Sequence, residues 1–152
     1  GTESDSEDIP SAVPERLRAG TDNLPGLIGL HHAVAYTIGH LESIKVKMRA
    51  LSERLYEGLM AIEGIAVHGP SLNTPRTAVF SVTAEGRDPA DIASTLLDRG
   101  NIETRVGLHC APSAHRTLGT FPAGTLRISP GPFTEDSDID TLLCLLREII
   151  NE

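Results

Sequence analysis

Ile65-Ala66-Val67-His68-Gly69-Pro70, followed shortly by Thr77-Ala78-Val79-Phe80-Ser81-Val82, decides the fold class. Both apolar runs are short, and a Gly-Pro turn follows the first. Two strands in succession with no helix between them belong to a largely antiparallel sheet. Working outward, Leu51, Leu55, Leu59 and Ile62 recur at helical spacing, which predicts a helix over about 41–62 that Gly64 stops. Downstream, Asp88 caps a predicted helix over 90–98, ended by Arg99-Gly100-Asn101. Residues 102–106 and 125–129 read as two more strands, with a loop between them. A last helix starts at Thr134-Glu135-Asp136, its apolar stripe being Ile139, Leu142, Leu143, Leu146, Ile149 and Ile150. The expected architecture is α+β: a mostly antiparallel sheet of about four strands with helices on one face.

Three segments precede or form this domain. Residues 1–16 are acidic and rich in Pro and Ser, and are expected to be flexible. Residues 17–40 contain a predicted helix over about 24–38, with Asn23 as N-cap and Pro25 in the first turn. That helix has little polar face, so it is expected to pack on a surface outside this chain. Residues 41–152 form the α+β domain.

Composition excludes several classes. The 152 residues carry 13 Lys and Arg against 21 Asp and Glu, a formal net charge of −8, so no nucleic-acid partner is expected. No apolar run reaches membrane length and no signal peptide opens the sequence, which leaves a cytoplasmic protein as the expectation. Only two Cys occur, too few for a disulfide framework. Cys144 sits among the apolar residues of the last helix and is expected in the core.

Cys110 stands in a different setting. Arg105-Val106-Gly107-Leu108-His109-Cys110-Ala111-Pro112 places it in a tight Gly/His/Pro loop, and Arg127 follows in Thr125-Leu126-Arg127-Ile128-Ser129-Pro130-Gly131. A nucleophilic thiol needs an accessible, electropositive setting, which a neighbouring His109 would help to provide. A planar guanidinium suits bidentate capture of a carboxylate. His109 and His115 flank the Cys, but three ligands in one short loop with no fourth make a poor zinc pattern, and no metal is expected. Arg105 has either a structural role or an acidic partner elsewhere. His31-His32 reads as an ordinary helix pair.

The sequence resembles the C-terminal portion of a fold-type I, pyridoxal-phosphate-dependent enzyme of the class V aminotransferase and cysteine desulfurase family. Arg18-Ala19-Gly20-Thr21-Asp22-Asn23-Leu24-Pro25-Gly26 is similar to the family's AGTxNxPG segment. The Cys110 loop is similar to the loop bearing the persulfide-forming Cys. The stretch from Gly124 to Gly131 resembles the substrate-carboxylate strand, and Phe133 to Asp140 the start of the last helix.

This resemblance implies Cys110 as the catalytic residue, Arg127 and Asn23 as substrate-binding residues, and a cysteine-like substrate. It implies pyridoxal phosphate in the complete enzyme, and a homodimer. Gly1-Thr2-Glu3-Ser4 resembles the segment that reaches a neighbouring subunit's cofactor phosphate, which would make Thr2 a contact. Glu3 stands where the family has Gly, and a carboxylate beside a phosphate is repulsive. The family's cofactor domain, with its anchoring Lys, precedes the matching region, and Lys45 and Lys47 lack that Lys's context. The chain is therefore expected to be a fragment that binds no cofactor and is inactive by itself. The alternatives are another class V aminotransferase or lyase in which Cys110 is a bystander, and a non-catalytic α+β binding module.

Overall fold

The structure, a computed structural model, describes residues 7–18 and 20–152. Thr2, the expected phosphate contact, lies outside the described residues. The chain divides into two compact units, residues 1–41 and 42–152.

The first unit contains a turn of 3-10 helix, Glu15–Leu17, and helix α1, Leu24–Gly39. α1 starts where expected. The Gly26 amide donates to Asn23 Oδ1 at 3.1 Å, and Pro25, having no N–H, leaves no donor unmet in the first turn. None of its residues is buried; Leu24, Leu27, Leu30, Val34 and Ile38 are all exposed.

The second unit is the α+β domain. Its elements are α2 (Leu41–Met60, whose first residue falls in the first unit), β1 (Ile65–His68), β2 (Phe80–Ala84), α3 (Pro89–Gly100), β3 (Arg105–Gly107), α4 (Pro112–Leu118), β4 (Thr125–Ile128) and α5 (Asp136–Asn151). The four strands form one antiparallel sheet in the order β1-β2-β4-β3. The expected fold class is the observed one.

One face of the sheet carries Phe80, Val82 and Ala84 of β2 with Leu126 and Ile128 of β4. Against it lie Leu51, Leu55 and Leu59 of α2, Ile92 and Leu96 of α3, and the α5 stripe from Ile139 to Ile149. Burying each such side chain contributes roughly 1.5–3 kcal/mol. Arg54 of α2 grips Asp140 of α5 through two hydrogen bonds of 2.8 and 2.6 Å. Glu135 and Asp138 form a capping box that fixes where α5 begins.

Four expectations change. β2 begins at Phe80, three residues later than expected, and runs on to Ala84. Arg76 accounts for the late start: its guanidinium donates to the carbonyls of Val79 and Thr77 at 2.6 and 3.4 Å and covers the Phe80 ring, so those carbonyls face a side chain. β3 covers Arg105–Gly107 in place of 102–106. Asn101 adopts the left-handed conformation, and the Ile102 amide still donates to Leu96 at 3.2 Å to close α3, so the backbone is not yet free to pair. The expected loop after Cys110 contains a helix, α4, opened by Pro112 and closed by Gly119 in the left-handed conformation. Cys144 is exposed, with its thiol 3.7 Å from Glu148 Oε1. It lies one position beyond Leu143, which turns it off the buried stripe.

Leu55 is fully buried whereas Leu30 of α1 is 60% exposed. Leu55→Ala is expected to cost about 2–5 kcal/mol in urea unfolding of the chain. Leu30→Ala is expected to change stability by no more than about 0.5 kcal/mol. Equal effects would contradict this assignment of the core.

Candidate active site

β3 and β4 pair with Arg105 opposite Arg127, Val106 opposite Leu126 and Gly107 opposite Thr125. Strand alternation turns Leu126 to the helices and sends Arg105, Arg127 and Thr125 to the other face. Continuing across the sheet, that face carries Ser81 and Thr83 of β2 and His68 of β1. It is a polar surface backed by an apolar core.

Two guanidiniums directly opposite each other repel. Among the described residues neither Arg105 nor Arg127 has a salt-bridge partner. Arg127 Nε is buried and has no hydrogen-bond partner among the described residues. An arrangement of this kind is costly unless an anion lies against it, and a carboxylate is the natural match for the guanidinium fork.

The loop that carries Cys110 meets this face through His109, on an unusual backbone. Gly107, His109 and Cys110 have φ values of 98°, 49° and 61°. The left-handed region costs non-glycine residues roughly 1–3 kcal/mol each, so the surroundings must impose it. Gly124 is one constraint. A Cβ built on it would fall on the Gly107 carbonyl, so two backbones touch at the root of the loop. The Ala111 amide donates to the Leu108 carbonyl at 2.8 Å, turning the chain around Cys110. His109 Nε2 and Thr125 Oγ1 share a hydrogen bond of 3.2 Å, and His115 Nδ1 and Thr120 Oγ1 one of 2.7 Å. The His109 and His115 rings lie 5.7 Å apart. Cys110 itself is exposed.

Burial, and then the charge of Arg127, push the His109 pKa below its ordinary value; the Thr125 contact opposes this in part. Burial and the neighbouring cations thus disfavour the charged form of His109. Arg127 and Arg105 add positive charge near the loop. His109 Nδ1 is buried without a hydrogen-bond partner among the described residues. Burial and proximity to His115 likewise lower the His68 pKa.

The structure thus brings Cys110, His109, His115, Arg105 and Arg127 to one region. Asn23 belongs to the first unit, where its Oδ1 caps α1. His31 and His32 are exposed and meet edge to face at 5.4 Å. Thr125, Thr120 and His68 were not anticipated. The period-two pattern around Arg127 already places Thr125 on its face, whereas His68 becomes a neighbour only through sheet order. Among the described residues no group of His, Cys, Asp and Glu is arranged to hold a metal ion.

Comparison with known proteins identifies the family. The model of the aminotransferase class-V family matches residues 4–142. The chain belongs to the class-V aminotransferase family. It is 34% identical over 139 residues to a probable cysteine desulfurase of Pyrococcus abyssi, covering 90% of this chain and 33% of that protein. A probable cysteine desulfurase of Vibrio cholerae is 29% identical, covering 93% of this chain and 34% of that protein. The solved apo cysteine desulfurase of Thermococcus onnurineus superposes with a TM-score of 0.79 at 33% identity, covering 91% of this chain and 34% of that one. The chain spans about a third of the length of these class-V relatives.

The histidines give the site a pH signature. A His whose pKa is lowered by folding is protonated more readily in the unfolded chain. The stability that His68 and His109 contribute is therefore complete above their ordinary value of 6.5 and is lost as pH falls below it. The urea midpoint is expected to drop between about pH 7.5 and about pH 5.5, and to drop less in His68→Gln and His109→Gln. An undiminished drop in both variants would refute this origin.

Proposed function

We propose that residues 42–152 supply the sulfur-accepting thiol and the carboxylate clamp of a cysteine desulfurase-type enzyme. The observation that carries this reading is the Arg105–Arg127 pair, without a counter-ion among the described residues, on the sheet face reached by the Cys110 loop. A small substrate bearing a carboxylate and a sulfur matches that combination. Arg127 takes the carboxylate, His109 accepts the thiol proton, and Cys110 attacks the substrate sulfur. The carbon–sulfur bond breaks with its electron pair going to the substrate carbon, which takes up the proton given up by the thiol. Cysteine leaves as alanine, and its sulfur stays on Cys110 as a persulfide. The electron sink that makes this cleavage possible would come from pyridoxal phosphate in the complete enzyme. Asn23 is assigned a substrate contact on the family resemblance alone. Residues 17–40 are assigned to the surface of a cofactor domain, which their exposed apolar side chains suit. A cytoplasmic homodimer is the assembly this reading expects.

The residues of this chain do not fit the family's cofactor. Its two lysines are both on α2 and both engaged: Lys45 Nζ with Glu42 and Lys47 Nζ with Glu135, each at 2.8 Å. Neither is placed as a covalent anchor for pyridoxal phosphate. The chain alone is expected to retain no pyridoxal absorbance after borohydride treatment and desalting, and to make no alanine; retained, stoichiometric absorbance would overturn this.

In the complete protein, Cys110→Ser is expected to abolish alanine formation from cysteine, because a hydroxyl is a far weaker nucleophile at neutral pH. Arg127→Ala should raise KM by about one to two decades, the worth of a charge-assisted bidentate contact of roughly 1.5–3 kcal/mol. Arg127→Lys should restore binding only in part. Wild-type alanine production by Cys110→Ser would sink the desulfurase reading in favour of another aminotransferase or lyase. An unchanged KM in Arg127→Ala would remove the clamp independently.

A further inference from the structure

α4 is anchored oddly. His115, 5% exposed, is the only buried residue of the helix, while Leu118 is 49% exposed. A helix held down at one point ordinarily uses an apolar side chain there. A buried imidazole has to be hydrogen-bonded and brings directional contacts that a leucine lacks.

Those contacts all lead to the thiol loop. Nδ1 of His115 meets Thr120 Oγ1 at 2.7 Å, and the Thr120 amide donates to the His115 carbonyl at 2.9 Å. The Gly124 amide donates to the Thr120 carbonyl at 2.7 Å, and the next residue, Thr125, holds His109. In the other direction, the His115 amide donates to the Ala111 carbonyl at 3.3 Å, and the Ala111 amide to Leu108 at 2.8 Å, spanning Cys110. The His115 ring closes the circuit against His109, at 5.7 Å and tilted by 47°. The titratable and charged groups around this circuit are His68 on β1, His109 in the loop, Arg105 on β3 and Arg127 on β4.

We propose that His115 is a positioning residue: through the Thr120 hydrogen bond and its ring contact with His109, it sets the orientation of His109 and hence the reactivity of Cys110. This deepens the sulfur-transfer reading and rests on it for its biological meaning, but it concerns a property of the thiol that is measurable without substrate or cofactor.

The test uses the whole chain with Cys144→Ser, which leaves one thiol, and follows the rate of Cys110 alkylation by iodoacetamide against pH. His115→Leu keeps an apolar anchor without the hydrogen bond. His115→Asn keeps a group near Nδ1 for Thr120 but presents no ring to His109. Both are expected to raise the alkylation midpoint by about half a pH unit or more and to slow the reaction at neutral pH, with urea unfolding still cooperative. If either folded variant has a profile superimposable on the parent's, His115 is only an anchor and the proposal fails. If both variants unfold, Thr120→Val decides. It cuts the same hydrogen bond from the other side, and an unchanged profile there refutes the proposal. Persistence of alanine formation in the Cys110→Ser enzyme would sink the sulfur-transfer reading while leaving the alkylation result as it stands, so the two failures are distinguishable.

Discussion

The backbones of Gly107 and Gly124 touch, and the geometry of the candidate site depends on that contact. Gly107 ends β3 and leads into the Cys110 loop; Gly124 leads into β4 and Arg127. With no side chain between them, the root of the thiol loop is seated directly on the strand that carries the guanidinium. Any larger residue at Gly124 would have to push the loop away. The left-handed conformations of His109 and Cys110 are then the consequence of turning a chain sharply in a space already fixed at its base.

A division of labour across the sheet follows. One face is committed to leucine, isoleucine and valine against three helices, and supplies the stability. The other face is released from that duty and tolerates what a core would not: opposed arginines, an Nε without a hydrogen-bond partner among the described residues, and histidines whose pKa burial lowers. Local costs of this kind persist only because burial on the opposite side outweighs them.

Much of this was legible in the sequence. The periodicity of Leu51, Leu55 and Leu59 and of the α5 stripe announces the core, and the two adjacent strands announce an antiparallel sheet. The Cys110 and Arg127 motifs are each local in sequence and so are visible there. The errors occur where a side chain competes with the backbone ladder, as Arg76 does beside Phe80, or where a helix ending consumes residues that look like strand, as at Ile102. Pro112 and Gly119 did mark α4, but seven residues give too little periodicity to outweigh a loop-like composition. Cys144 was misplaced because a thiol at the margin of an apolar stripe has no pattern of its own. His68 was out of reach altogether, since only strand order brings it near His115.

A helix fastened by one side chain also has a distinct energetic standing. α4 adds almost nothing to the apolar burial that makes the domain unfold as a unit, so its detachment costs a small part of the global free energy. Cys110 therefore borders a segment that contributes little to the cooperative core, whereas Arg105 and Arg127 stand on strands of the packed sheet.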